Sequence, residues 1–207
     1  MESVSWSRGT RAHQAELKVF TCCPGCRTQD ARHPTDPLGC RTEWAHTVQT
    51  YFQEEAVEAA QEGALDYDQR LLLLRDADDL VGAAAHYSDS DPDDPPGGPF
   101  IRRLAAYAIA SHAQGGKLST GEYASKALLR AVVSDITSRY SPQDEVLITG
   151  LVLPMNKASR TCLERHGWVI FDQQGRYLVY ANSLKSAQKA LGVDASLGVD
   201  AFHAPGT

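Results

Sequence analysis

The sequence lacks any apolar run near the roughly 18 residues that a membrane-spanning helix needs, and its N-terminus, MESVSWSRGTRAHQ, lacks the apolar core of a secretory signal. Both absences point to a cytoplasmic protein with no membrane partner. A basic excess is missing too: 20 lysines and arginines stand against 26 aspartates and glutamates, a formal charge of -6. A surface that neutralises phosphates would have to be locally basic against that background, so a general nucleic-acid binder is not expected. The same acidity admits a cationic substrate.

Cysteine is scarce and unevenly placed. Five are present, an odd number with Cys162 isolated late in the chain, which argues against a secreted disulfide framework. Cys22, Cys23, Cys26 and Cys40 crowd together with His33 and His46, so a zinc site can be written from Cys23, Cys26, Cys40 and one histidine. The second CxxC of a zinc ribbon is absent, however. Ordinary thiols are the plainer reading, and no metal is assigned. Two nucleotide motifs are also missing. Gly116-Lys117 is followed by leucine with the wrong glycine spacing for a Walker loop, and no GxGxxG occurs.

What is present suits one main domain. The 207 residues, 43% hydrophobic and 22% charged, can bury one sizeable core. We place it at 16–181, after a loose leader at 1–15 and before a tail at 182–207, where LGVDA repeats at 191–195 and 197–201. Alternation and turn residues predict a strand at 16–23, a hairpin from 71–74 and 80–87, a buried strand at 101–110 and another at 146–153. Spacings of three and four predict helices at 42–62, 124–140 and 156–166. A closing hairpin is read at 169–171 and 177–181. The run SDSDPDDPPGGP at 88–99 is a solvated loop.

Two segments have the composition of a binding site. VLITGLVLPMNKASRTCLERHGW runs from a strand through Pro154 and Asn156 into a short helix, which leaves backbone donors and an Asn side chain at the strand tip. The second, SHAQGGKLSTG, separates a strand from a helix. Amides freed by Gly115 and Gly116, with Lys117 beside them, suit a phosphate at the helix start, although a plain connector has the same composition.

The order of hairpin, small-residue strand, glycine loop, long helix, strand and Asn-initiated helix resembles the GCN5-related N-acetyltransferase (GNAT) superfamily over about 70–181. Most specific are Asn156-Lys157-Ala158-Ser159 and Leu163-Glu164-Arg165-His166-Gly167-Trp168, which look like the family's N-x-x-S and L-E-[KR]-x-G-[FW] pieces. The resemblance implies an α/β acyl-CoA N-acyltransferase fold, a mixed sheet splayed at its middle strands with helices on both faces. It implies acetyl-CoA as cosubstrate and transfer of the acetyl group to a primary amine by direct attack in a ternary complex. Ala108, Ile109 and Ala110 then line the pantetheine arm, Gln114, Gly115, Gly116 and Lys117 the diphosphate, and Asn156 the pantetheine or a site water. In this register Lys117 and Ser119 replace two expected small residues. The alternative register, 119–124, puts Glu122 at the invariant glycine. Ser159 would sit within reach of the thioester sulfur, and Ser159 or water would supply the proton for the departing thiolate, because the tyrosine that many members place one turn later is Leu163 here. His86, Tyr87, Tyr107 and Glu122 are candidate bases. A binding module that keeps acyl-CoA or a protein partner without turnover is the alternative to an enzyme, and a zinc-stapled interaction protein is a third reading. The oligomeric state stays open, a homodimer being one option.

Overall fold

The computed structural model describes residues 4–22, 39–89 and 98–194, with backbone alone at 39–43 and 63–66. Four consecutive leucines at 71–74 set its layout, all of them buried. Side chains alternate across a strand, so such a run requires a sheet covered on both faces. Leu71 and Leu73 pack with Leu17, Phe20, Phe52 and Ala56. Leu72 and Leu74 pack on the other face with Leu128, Val132 and Ile136.

The sheet comprises β1 (Val4–Arg8), β2 (Arg70–Asp76), β3 (Asp79–Ser88), β4 (Phe100–Ile109), β5 (Val146–Val152), β6 (Val169–Gln174) and β7 (Tyr177–Ser183), in the order β1-β2-β3-β4-β5-β7-β6. Every neighbouring pair is antiparallel except β4 and β5. One face carries α1 (Gln14–Leu17), α2 (Gly39–Thr50) and α3 (Ala56–Asp66), the last two joined by a π-helical turn at Tyr51–Glu55. The other carries α4 (Ala124–Thr137) and α6 (Leu184–Leu191), while α5 (Lys157–Arg165) links β5 to β6. The mixed sheet with helices on both faces is as expected.

Three expectations are corrected. Residues 4–8 are no loose leader: Val4 and Trp6 pack on the main core while their neighbours face out, and all five residues pair with β2. The segment at 16–23 is not a strand. Leu17 and Phe20, three residues apart, fall on one side of a helical end and both are buried, with the Phe20 carbonyl taking a hydrogen bond from Gln53 Nε2 at 2.7 Å. The tail at 182–207 also begins inside the folded unit. Leu184, Ala187 and Leu191 of α6 are buried, with Gln188 Nε2 donating to Thr137 Oγ1 at 3.0 Å. Burying one such leucine contributes about 1.5–3 kcal/mol, which a loose tail would forgo. The residues from which a zinc site could be written, Cys23, Cys26 and the Cys40 side chain, lie outside the described residues, as does most of the acidic loop. Among the described residues no group of His, Cys, Asp and Glu is placed to hold a metal, and no helix is long and apolar enough to cross a membrane.

Candidate active site at the parted strands

The β4–β5 pairing stops early. It runs from Phe100 opposite Val146 to Leu104 opposite Gly150, and β4 continues through Ile109 without its partner. A bulge coincides with the parting: on β3, Ala85 faces Ala106 and His86 faces Leu104, so Ala105 is an extra residue in β4. Bulges bend a strand and increase its twist. Beyond this one, Ala110 N donates to Val81 O at 2.9 Å, and antiparallel alternation therefore turns the backbone groups of Tyr107 and Ile109 to the side β5 has left. A cleft of about 380 Å³ opens there, between residues 104–107 of β4 and 150–153 after and within β5.

The start of α5 forms one wall. Pro154 ends the strand, Asn156 N donates to Leu153 O at 2.9 Å, and Asn156 Oδ1 accepts from Ser159 N at 3.1 Å. This is the expected cap, and both Asn156 and Ser159 line the cleft. The helix is closed at its far end by Gly167, at φ +84, where a side chain would be strained. Trp168 N reaches Leu163 O and Gly167 N reaches Glu164 O, each at 3.1 Å, a Schellman closure in which Trp168 and Leu163 share the core.

Tyr107 is the cleft's principal polar side chain on β4. Its hydroxyl donates to Ser125 O at 2.6 Å and lies 3.7 Å from Cys162 Sγ. Burial, followed by the neighbouring Cys162 thiol, pushes the phenol well above its ordinary value. It stays protonated, which suits a proton donor and not the base suggested by its sequence position. Leu163, in place of a family tyrosine, is buried.

The loop candidates lie further on. Ala108, Ile109 and Ala110 continue β4 and its exit, and neither they nor residues 114–117 line the cleft. Gln114 turns inward, its Nε2 donating to Cys22 O at 2.6 Å and Ile109 O at 3.1 Å. Gly115 has φ +72 and open space about it, and Gly116 N is used by Ala113 O at 3.1 Å. Lys117 Nζ lies 5.6 Å from the Tyr123 ring centroid. Ser119 N donates to Asp76 Oδ2 at 2.8 Å, with a second bond from its hydroxyl to the same carboxylate. A native carboxylate thus occupies an amide of the loop that leads to α4.

Of the other candidate bases, His86, Tyr87 and Glu122 do not line the cleft. His86 is wholly buried in an arginine–aspartate network, with Nδ1 2.6 Å from an Arg102 nitrogen and Nε2 3.2 Å from Asp135 Oδ2. Glu122 pairs with Arg130 at 2.7 Å and Lys126 at 3.5 Å. Cys22 is no nucleophile either, since burial pushes its thiol up to about 11. Sequence reasoning missed Trp44, Thr47 and Val48 of α2 and Arg176 and Tyr177 of the β6–β7 turn, which form the remaining walls. Trp44 and Val48 were legible only as an apolar helix stripe. Glu54 and Glu55 of the π-helical turn and Glu58 of α3 are exposed outside the cleft.

No protein-family model matches the chain, and no curated protein matches it in sequence. Solved structures do match. A Desulfovibrio desulfuricans protein described as a GNAT-family acetyltransferase aligns at TM-score 0.50 and 18% identity, over 88% of this chain and 99% of that one. The PaiA N-acetyltransferase of Thermoplasma acidophilum, crystallised with coenzyme A, aligns at TM-score 0.57 and 11% identity, over 87% and 98%. The fold is that of the GNAT acetyltransferases. The aminoglycoside acetyltransferase AAC(6')-Ib, in complex with coenzyme A, shares this GNAT fold at TM-score 0.56 and 17% identity, over 90% and 98%.

Proposed function

We propose that this chain is an acetyl-CoA-dependent N-acetyltransferase acting on a primary amine by direct attack in a ternary complex. The parting of β4 from β5 after Leu104 and Gly150 carries the reading, because it leaves backbone donors facing an open gap. Acetyl-CoA, when bound, supplies the thioester. The amides of Tyr107 and Ile109 would hold its pantetheine arm, with Asn156 and Ser159 at the capped start of α5 closing over it. Tyr107, kept neutral by burial, turns its proton from Ser125 O to the departing thiolate and regains one from water, with the Cys162 thiol beside it and Ser159 elsewhere on the cleft wall. None of the described residues lining the cleft is a carboxylate or histidine, so the amine gives up its proton to water. The acceptor lies against Trp44, Val48 and Tyr177. AAC(6')-Ib, which has also been solved with kanamycin, supports an amine-bearing small molecule as the acceptor class.

A binding module is the second reading, favoured by Asp76 on the Ser119 amide and by Leu163 in the tyrosine position. One experiment separates the two. Titration calorimetry with acetyl-CoA, followed by release of free thiol across a panel of primary amines, should give saturable binding and amine-dependent release. Binding without release selects the module, and no binding removes both.

A further inference from the structure

The cleft passes through the sheet. On one side, Tyr107 reaches Ser125 of α4 and Cys162 of α5, and both Tyr107 and Cys162 pack against the core on the α4 face. On the other, Val48 of α2 packs against the core of the opposite face. Both sides line one space of about 380 Å³, so the parting of β4 from β5 opens the sheet from face to face.

Strand alternation assigns the remaining walls. Ile148 and Val152 of β5 and Leu178 and Tyr180 of β7 pack on the α4 face, which turns Leu151 and Tyr177 to the α2 side. Trp44, Thr47 and Val48, spaced by three and four residues, share one stripe of α2. The two halves of the cleft therefore differ in chemistry. The α4 half holds Tyr107 and Cys162, with Asn156 and Ser159 at the start of the same helix as Cys162. The α2 half is framed by two aromatic and two aliphatic side chains, Trp44, Tyr177, Val48 and Leu151. Leu151 is 37% exposed, and Arg176, 5.4 Å from the Tyr177 ring centroid, braces that ring.

These walls favour some acceptors over others. A sugar amine or a polyamine would press hydroxyls or further ammonium groups against four side chains that return only the Trp44 indole N–H and the Tyr177 phenol, and buried polar groups without partners are costly. A flat ring instead gains from Trp44 and Tyr177 beyond the area it buries. Volume matters as well, because about 380 Å³ must take the reacting ends of both substrates and so admits one slim arm.

We propose that the acceptor is an arylalkylamine, a primary amine on a short chain from an aromatic ring. The ring lies on the α2 side among Trp44, Val48, Leu151 and Tyr177, and the amine enters the gap toward Tyr107. The C–N bond of the amide forms as the C–S bond of the thioester breaks, the amine proton passing to water and the sulfur taking the Tyr107 proton, which water restores. This rests on the acetyltransferase reading for the reaction and adds which amine receives the acetyl group.

Two measurements on the full chain test it with 2-phenylethylamine, ethylamine, 1,4-diaminobutane and kanamycin: calorimetric binding, with and without saturating CoA, and amine-dependent thiol release from acetyl-CoA. 2-Phenylethylamine should bind saturably, at least about tenfold more tightly than the other three, and should give the highest kcat/KM. Trp44→Ala and, separately, Tyr177→Ala should each weaken its binding by about tenfold, while Trp44→Phe keeps most of it. Circular dichroism identifies any variant that fails to fold, and the other then decides. Thiol release that favours another amine overturns the inference and leaves the acetyltransferase reading standing. Ring-dependent binding with no release from any amine keeps the aromatic site and removes the transfer reading. Equal binding of the four amines, no saturable binding of 2-phenylethylamine, or insensitivity to both variants overturns the inference.

Discussion

At the scale of single residues, the cleft depends on a phenol that burial keeps protonated until the thiolate departs. Tyr107 is buried with its hydroxyl committed to Ser125 O. Removing that hydroxyl should leave the packing intact and take away a proton donor. Tyr107→Phe is therefore expected to lower kcat by about 100-fold with the acetyl-CoA dissociation constant unchanged, and unaltered turnover would assign the proton transfer elsewhere. Asn156 has two roles at one position: Asn156→Ala loses the α5 cap, costing about 1 kcal/mol in thermal or denaturant unfolding, and should lower activity beyond what that loss of stability explains. His86 gives a pH signature. Burial, with Arg102 and Arg139 beside it, holds its pKa below the ordinary value, so the folded chain refuses a proton that the unfolded chain takes up below about pH 6.5. Stability therefore falls as pH drops through that value. Asp135 acts at lower pH: the hydrogen bonds from His86 and Arg139 outweigh its burial and depress its carboxyl, so its contribution is lost only below about pH 4. His86→Gln keeps an acceptor for Arg102 and a donor for Asp135 but cannot titrate. Urea unfolding between pH 7 and 5 should show a flatter acid slope for the variant, and an equal slope would remove His86 as its source.

At the scale of elements, legibility followed the strength of the periodic signal. The helix at 124–137 and the strands at 71–76, 79–88 and 146–152 carried long apolar patterns, and the structure has them close to the expected bounds. Asn156 and Gly167 marked the ends of α5 because capping is a local property of the chain. Gly167→Ala should destabilise the fold by more than about 1 kcal/mol, since φ +84 excludes a Cβ without strain. A melting temperature equal to the parent's would contradict that. Short elements misled. At 16–23 apolar residues suggested a strand, but Leu17 and Phe20 are buried from a helical turn, and only the distant Phe52 decides between them. The helix α6 was hidden by a low-complexity neighbourhood, and its partner α4 lies far away in sequence. The cleft walls from α2 and the β6–β7 turn were illegible for the same reason: nothing local to Trp44 or Arg176 records that they meet across the gap.

At the scale of the whole molecule, one topological fact organises the function. In a sheet that is otherwise antiparallel, the single parallel pair is the one that parts, and the Ala105 bulge lies where it does so. The resemblance sets the pantetheine arm beside Ala108, Ile109 and Ala110, and the strands part earlier than that, after Leu104 and Gly150. Function therefore turns on whether the unpaired half of β4 receives the acetyl-CoA arm. Residue-resolved hydrogen exchange reads this directly. Without ligand, the amides of Tyr107 and Ile109 should exchange faster than those of Arg102 and Leu104, and saturating acetyl-CoA should slow them selectively. Uniform protection along β4 without ligand, or no change on adding acetyl-CoA, would contradict it.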